Sequence, residues 1–345
     1  MKALAPFAAA LAAVGSFQAG PAAAGDPTAL FAAAEPIEIT ISGPVSEIVR
    51  KAAASTDPRP ATLAHGGETH AIALSARGNA RRRPEVCKFP PLRVKFAAPP
   101  GEGSLFYKQR TLKLVTHCRP AASFQQTTLL EYAAYGTYNQ VTEASFRVRL
   151  ARVRYVDEPS GKTVAERLGF FIEDEDDLAR RVGMKDVKAG TLTIAQHDAA
   201  AAARAALFFH MIANHDWSML AGPEGECCHN GKLLGRDKTS TEGLVFVPYD
   251  FDYSGFVGAP YAVPPAELKI KSVRSRQYRG DCALNDEARR AAALFRERRA
   301  AIEGAVRGTP HLETKTADRA VKFLGGFFDD IADDKAVEKL LKRCR

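Results

Sequence analysis

The sequence predicts an α+β protein of two lobes, a β-rich first half and a helix-rich second half. Three observations carry this. Short runs of alternating apolar residues recur up to Glu173, apolar stripes at helical spacing prevail afterwards, and the acidic stretch Asp174-Glu-Asp-Asp177 reads as a linker between them. Two lobes joined in this way leave a cleft between them.

The elements follow in order. Residues 25–70 are rich in Ala and Pro, with one strand-like run at Ile37-Glu-Ile-Thr-Ile41. Ala71–Ser75, Leu92–Phe96 and Leu112–Val115 alternate apolar and polar residues, as half-buried antiparallel strands do. Ser123 and Gln126 fit a capping box, and Leu129, Leu130, Ala133 and Ala134 give the following helix its apolar stripe. Phe146–Tyr155 and Arg167–Glu173 read as a hairpin around the turn Pro159-Ser-Gly161. Beyond the linker, Ala199–Ala213 is a helix, Lys232–Leu234 a short apolar piece and Leu244–Pro248 a buried strand. Asp286–Gly304 and Asp333–Arg343 are charged amphipathic helices.

The chain has 345 residues, 46% hydrophobic and 26% charged, an ordinary balance for a globular protein with ample core. Lys2, the apolar run Leu4–Phe17 and the small residues up to Ala24 have the layout of a secretory signal, so residues 1–24 are expected to be a signal peptide and the protein periplasmic or secreted. No other segment is apolar enough to span a membrane. Six cysteines behind such a signal favour disulfides, with Cys87–Cys118 the preferred pair because both flank strand-like segments of one region. The net charge of +8 is spread out rather than clustered, which argues against a nucleic-acid partner. The tight run Arg81-Arg82-Arg83 reads as solvated surface.

Two places could carry chemistry. Asn214-His215-Asp216-Trp217 sets a carboxylate where an apolar helix ends, and Pro248-Tyr-Asp250-Phe-Asp252 delivers two carboxylates at the end of a buried strand. Helix termination and turn formation account for either motif in a bland reading. Two strand-end Asp residues also suit a hard cation such as Mg²⁺. Between them, Cys227-Cys228-His229-Asn230 is a poor zinc site, since adjacent cysteines ligate one ion badly, but Asn230 offers an oxygen ligand. Phosphoryl transfer needs an Asp near the acceptor hydroxyl, oxygen ligands for Mg²⁺ and a cation on the phosphates. Asp216, Asn230 and Asp250 occur in that order, with Lys113 on an earlier strand and Glu131 on the next helix as a candidate pair holding the phosphate-binding Lys. Gly-x-Ser-x-Gly and His-Glu-x-x-His are both absent, which leaves a hydrolase without its motifs.

Four stretches resemble the CotH kinase-like family of the spore-coat protein H type: the turn Arg77-Gly78-Asn79 with the strand at 93–96, the strand region Phe106–Val115, the segment Gly169-Phe-Phe-Ile-Glu173 with the acidic turn and Arg180–Gly183, and the pair Asn214-x-Asp216 and Pro248-Tyr-Asp250-Phe-Asp252. The resemblance covers roughly residues 70–260. It implies a two-lobed protein-kinase-like fold, with a β-rich N-lobe at 25–173 and a helix-rich C-lobe at 174–345. It also implies transfer of phosphate from ATP to a protein hydroxyl with Mg²⁺ or Mn²⁺. Asp216 would be the catalytic Asp, Asp250 and Asn230 metal ligands and Asp252 a second carboxylate ligand. Lys113 would bind phosphate, with Lys95 as the fallback, and Glu173 would lie at the hinge near the adenine. The sequence lacks a Gly-rich phosphate loop of the usual type, so a catalytically inactive pseudokinase or envelope binding module stands as the alternative.

Overall fold

The computed structural model describes residues 25–345 apart from Pro159 and Glu224; the expected signal peptide lies outside the described residues. The N-terminal half is a closed seven-stranded barrel in the order β1-β2-β3-β4-β5-β7-β6, formed by β1 (Ile37–Gly43), β2 (Arg59–His65), β3 (Glu68–Ala76), β4 (Leu92–Phe96), β5 (Thr111–Val115), β6 (Val148–Asp157) and β7 (Lys162–Ile172). The expected antiparallel ladders form, and a parallel pairing of β1 with β6, Ile37 opposite Ala151 through Gly43 opposite Asp157, closes the barrel. Alternation puts Ile39, Ile41, Leu63, Leu74, Val94, Leu112, Leu114 and Phe171 into one buried cluster. Gly169 lets β7 approach β5, since any Cβ there would collide with the Val115 carbonyl oxygen.

Several expectations are corrected. The Ala/Pro-rich segment holds a helix, α1 (Val45–Lys51), and the strand β2, whose Pro60 and alanines mask its alternation. The capping box at Ser123 and Gln126 does not form. The helix α2 (Ala122–Tyr138) starts from Ala121, and Gln126 instead accepts from the Glu313 amide and donates to the His311 carbonyl. The acidic stretch is not a free linker. Asp174 caps the short helix α3 (Glu175–Arg181) by accepting from the Asp176 amide, and the acidic first turn complements the helix dipole.

The C-terminal half carries a three-stranded antiparallel sheet of β8 (Lys185–Val187), β9 (Gly231–Gly235) and β10 (Val245–Pro248) beside α4 (Ala199–Met211). The helices α5 (Asn285–Glu297), α6 (Arg299–Arg307), α7 (Thr314–Asp330) and α8 (Asp334–Leu341) complete it; the single helix expected over Asp286–Gly304 breaks at Arg298. Small residues on α4 let α5 pack closely against it. The helix α2 is buried on both sides, against β6 and β7 and against α6, so one hydrophobic core runs from Val115 and Phe170 to Leu341 and joins the two halves. Cysteines pair as Cys87–Cys118, Cys227–Cys228 and Cys282–Cys344. Among the described residues no helix is long and apolar enough to cross a membrane.

Candidate active site

Where α4 ends, Ala213 takes a left-handed turn, and the Asn214 amide donates back to the Phe209 carbonyl at 2.8 Å. The Asn214 side chain accepts from the Asp216 amide at 2.9 Å, while Trp217 stacks on Phe209 and donates its indole N–H to the Asn214 carbonyl. Asp216 is thus aimed outward from a pinned turn. His229 Nε2 donates to its Oδ1 at 2.7 Å, and Asn230 Nδ2 donates to its Oδ2 at 3.0 Å. The bond to Asp216 raises the His229 pKa against the effect of partial burial.

The second motif leaves β10 through Tyr249. The Tyr249 amide donates to the Asn230 carbonyl, and its hydroxyl accepts from Arg77 Nη2 at 2.5 Å. Asp250 is in the left-handed region at φ +61°, and its amide donates to the Tyr135 hydroxyl of α2. Phe251 is fully buried against Tyr135 and Phe208, which locks the turn. Asp252 points inward, where it accepts from the Tyr261 hydroxyl at 3.0 Å and faces Arg81 Nε at 3.1 Å.

These residues meet in one cleft of about 420 Å³, lined by Asp216, His229, Asn230, Asp250, Asp252 and Tyr253 on one side and by the segment Arg77–Arg81 with Arg83 on the other. Four of the expected residues, Asp216, Asn230, Asp250 and Asp252, line this one cleft, and Arg81, at its centre, was not among those expected. Arg81 donates to both carboxylate oxygens of Glu131 at 3.1 Å, meets Asp252 at 3.1 Å and lies 3.6 Å from Asp250. Burial alone would lower its pKa, but Asp252 and Glu131 outweigh burial and hold the guanidinium charged. Burial pushes Glu131 and Asp252 up, with Arg81 opposing in each case. One signal could have found it: Glu131 sits inside the apolar stripe of α2, and a buried carboxylate requires a cation. Only Arg81 of the triple-arginine run answers; Arg82 is half-buried and Arg83 exposed.

The lysine and hinge expectations fare differently. Lys113 does not pair with Glu131. It donates to Glu175 at 2.6 Å over the Tyr249 ring, and it is not among the residues lining the cleft. Lys232 reaches the other oxygen of Glu175 at 3.0 Å, and the two lysines hold that carboxyl down at about 2 despite its burial. Glu175 therefore ties the barrel to β9. Lys95 is exposed and borders a separate cavity with Lys108 and Asp177. Glu173 is 1% exposed and fully committed, accepting from Arg181 at 3.0 and 2.9 Å and from the Arg147 amide. It is not among the residues lining the cleft.

The oxygen donors suit a hard cation in part. Asp250 is a third exposed, and Asn230, having spent its NH₂ on Asp216, keeps its carbonyl oxygen. Asp252 is taken by Arg81 and Tyr261. Among the described residues no three His, Cys, Asp or Glu side chains are grouped to hold a metal by themselves. Such a cation would complete its shell with water and substrate oxygens, as Mg²⁺ does.

No protein-family model matches the chain, and no curated protein matches it in sequence. Among solved structures, the crystal structure of a Helicobacter pylori proinflammatory kinase, CtkA, is similar at 10% identity and a TM-score of 0.38, over 83% of this chain and 93% of that one.

Proposed function

We propose that the chain is a metal-dependent phosphotransferase of the two-lobed kinase type, passing the terminal phosphoryl group of ATP to a protein hydroxyl outside the cytoplasm. The observation that carries this is the division of one cleft into two walls. Arg77 and Arg81 face from one side, and the oxygens of Asp216, Asn230 and Asp250 face from the other. A triphosphate needs the cations, and its counter-ion needs the oxygens.

Roles follow from position. Asp216, outward-facing and held by His229 and Asn230, takes the proton of the acceptor hydroxyl as its oxygen attacks the γ-phosphorus and ADP departs. Asp250 and Asn230 would hold Mg²⁺ or Mn²⁺, which neutralises charge on the phosphates. Arg81, anchored by Glu131 of α2 beside Asp250, takes the part that the sequence reading gave to Lys113, a cation fixed by a helix carboxylate next to the metal ligand. Its planar, two-pronged contact suits a phosphate as well as a carboxylate.

A second reading is favoured by the same arginine. With Arg81 at 3.6 Å from Asp250, the guanidinium competes with a metal, as in a pseudokinase that keeps the cleft without the chemistry. Mass spectrometry of the purified protein and a generic acceptor after incubation with ATP and Mg²⁺ or Mn²⁺ separates the two. Phosphate on Ser, Thr or Tyr that disappears in Asp216→Asn supports transfer. No phosphate on wild type under either metal supports the inactive reading.

A further inference from the structure

The three disulfides differ in what they do for the fold. Cys87–Cys118 and Cys282–Cys344 close loops across sequence separations of 31 and 62, whereas Cys227–Cys228 joins neighbours in the chain. A disulfide stabilises by closing a loop that is open in the unfolded chain, and the gain grows with the loop. Between adjacent residues there is no loop to close, so this pair is not a staple. It lies instead beside the cleft. The two residues after it are His229 and Asn230, which hold the two oxygens of Asp216 at 2.7 and 3.0 Å. Cys227 and Cys228 are half-buried, within reach of a reagent from solvent, whereas Cys87 and Cys118 are buried.

The backbone around the pair is strand-like. Cys227 bridges to Ala189 and His229 to Ser218, each in the antiparallel sense, and β9 follows at Gly231. Successive side chains of an extended chain point to opposite faces, so the bond holds together two side chains that alternation sends apart. The Cys227 and Cys228 sulfurs lie 3.0 and 3.5 Å from the Met219 carbonyl oxygen, which His197 Nε2 also meets at 2.9 Å. A disulfide sulfur has no hydrogen to donate, and a thiol has one. Opening the bond frees Cys228 to turn and supplies two donors to an acceptor already in place. We propose that Cys227–Cys228 is a redox-active site that takes a dithiol as its substrate and, on opening, loosens the hold of His229 and Asn230 on Asp216. A thiolate of the dithiol attacks one sulfur, the Cys227–Cys228 bond breaks and a mixed disulfide forms; the second thiol then displaces the cysteine. Two electrons and two protons pass to the cysteines, and the dithiol leaves as its own disulfide. The effect on phosphoryl transfer rests on the proposed role of Asp216; the opening of the pair and the loosening of His229 do not.

The full chain is equilibrated without nucleotide in dithiothreitol buffers of graded reduced-to-oxidised ratio. Thiols are trapped with N-ethylmaleimide, and the labelled cysteines are mapped by peptide mass. Cys227 and Cys228 are expected to open at a ratio at least roughly tenfold lower than either other pair. Cys282 is exposed as well, so the order reads loop closure and not access alone. Amide exchange is then followed in the segments holding Ser218 and His229, whose amides each donate to the other's carbonyl at 3.1 Å. Opening the pair is expected to speed that exchange about tenfold or more. Cys227→Ser combined with Cys228→Ser, which removes no loop closure, should exchange as the reduced wild type does. Either other pair opening first or at the same ratio would overturn the redox assignment. An opened pair whose Ser218 and His229 segments exchange as before would overturn the link to Asp216. Neither result depends on phosphoryl transfer, which the mass-spectrometric assay above tests by itself.

Discussion

Arg81 and Glu131 meet through two parallel hydrogen bonds of 3.1 Å, with both side chains buried between the barrel and α2. This pair is the joint by which a segment after β3, a helix and the Asp250 turn are held in one register. Removing one partner strands the other as an unpaired buried charge. Arg81→Ala is expected to cost about 3–5 kcal/mol. Arg81→Met combined with Glu131→Leu should recover part of the loss, because Glu131 is then no longer left unpaired and only Asp252 loses its cation. Chemical denaturation of the two variants measures it, and equal losses in the single and the double variant would show that the pair does not couple.

Lys113 gives a prediction of the opposite kind. Its partner is Glu175 and burial lowers its pKa, which marks a structural charge rather than a phosphate ligand. Lys113→Met should cost roughly 1.5–3 kcal/mol, the worth of a charged hydrogen bond, and leave nucleotide binding within a few-fold of wild type. Calorimetric titration with ATP checks this, and a loss of binding in a folded variant would return Lys113 to the site.

The segment bearing Arg77 and Arg81 is closed at its far end by Cys87–Cys118, a loop spanning a sequence separation of 31. Replacing both cysteines by alanine is expected to cost about 3–4 kcal/mol. Denaturation midpoints of the double variant under non-reducing conditions measure it.

Acid stability turns on His117. Burial between Phe89 and Tyr155 drops its pKa from 6.5 to about 4, and its Nδ1 has no partner. The folded value lies below the unfolded one, so the unfolded chain takes up the proton first. Stability is complete above pH 6.5, falls as pH drops and stops falling on this account near pH 4. The full contribution is roughly 3 kcal/mol. His117→Phe should flatten that part of the stability–pH curve, as read from melting temperatures between pH 7 and 4.

Much of this was legible in the sequence, and the rest has physical reasons. Strands β4 and β5 alternate cleanly, and Asp216, Asn230 and Asp250 stand at ends of apolar elements, where the chain must turn outward. The parallel closure of β1 on β6 was not legible, because pairing across more than a hundred residues leaves no local mark. The helix α7 is not among the expected elements despite an apolar stripe through Ala317, Val321, Leu324 and Phe328. Arg81 reads as solvated surface because a run of like charges conceals the one member that turns inward. Chain order alone matches Lys113 to Glu131, whereas a buried pair is settled by three-dimensional reach.

On the proposed function, Asp250 binds a nucleotide-linked metal in the cleft. The most direct measurement is the melting temperature of wild type and Asp250→Ala with ATP, alone and with Mg²⁺ or Mn²⁺. At a nucleotide concentration about a hundredfold over Kd, wild type should rise by about 5 °C, only when the metal is present, and Asp250→Ala should not move. A wild type that does not shift, or an Asp250→Ala variant that shifts equally, would contradict the account.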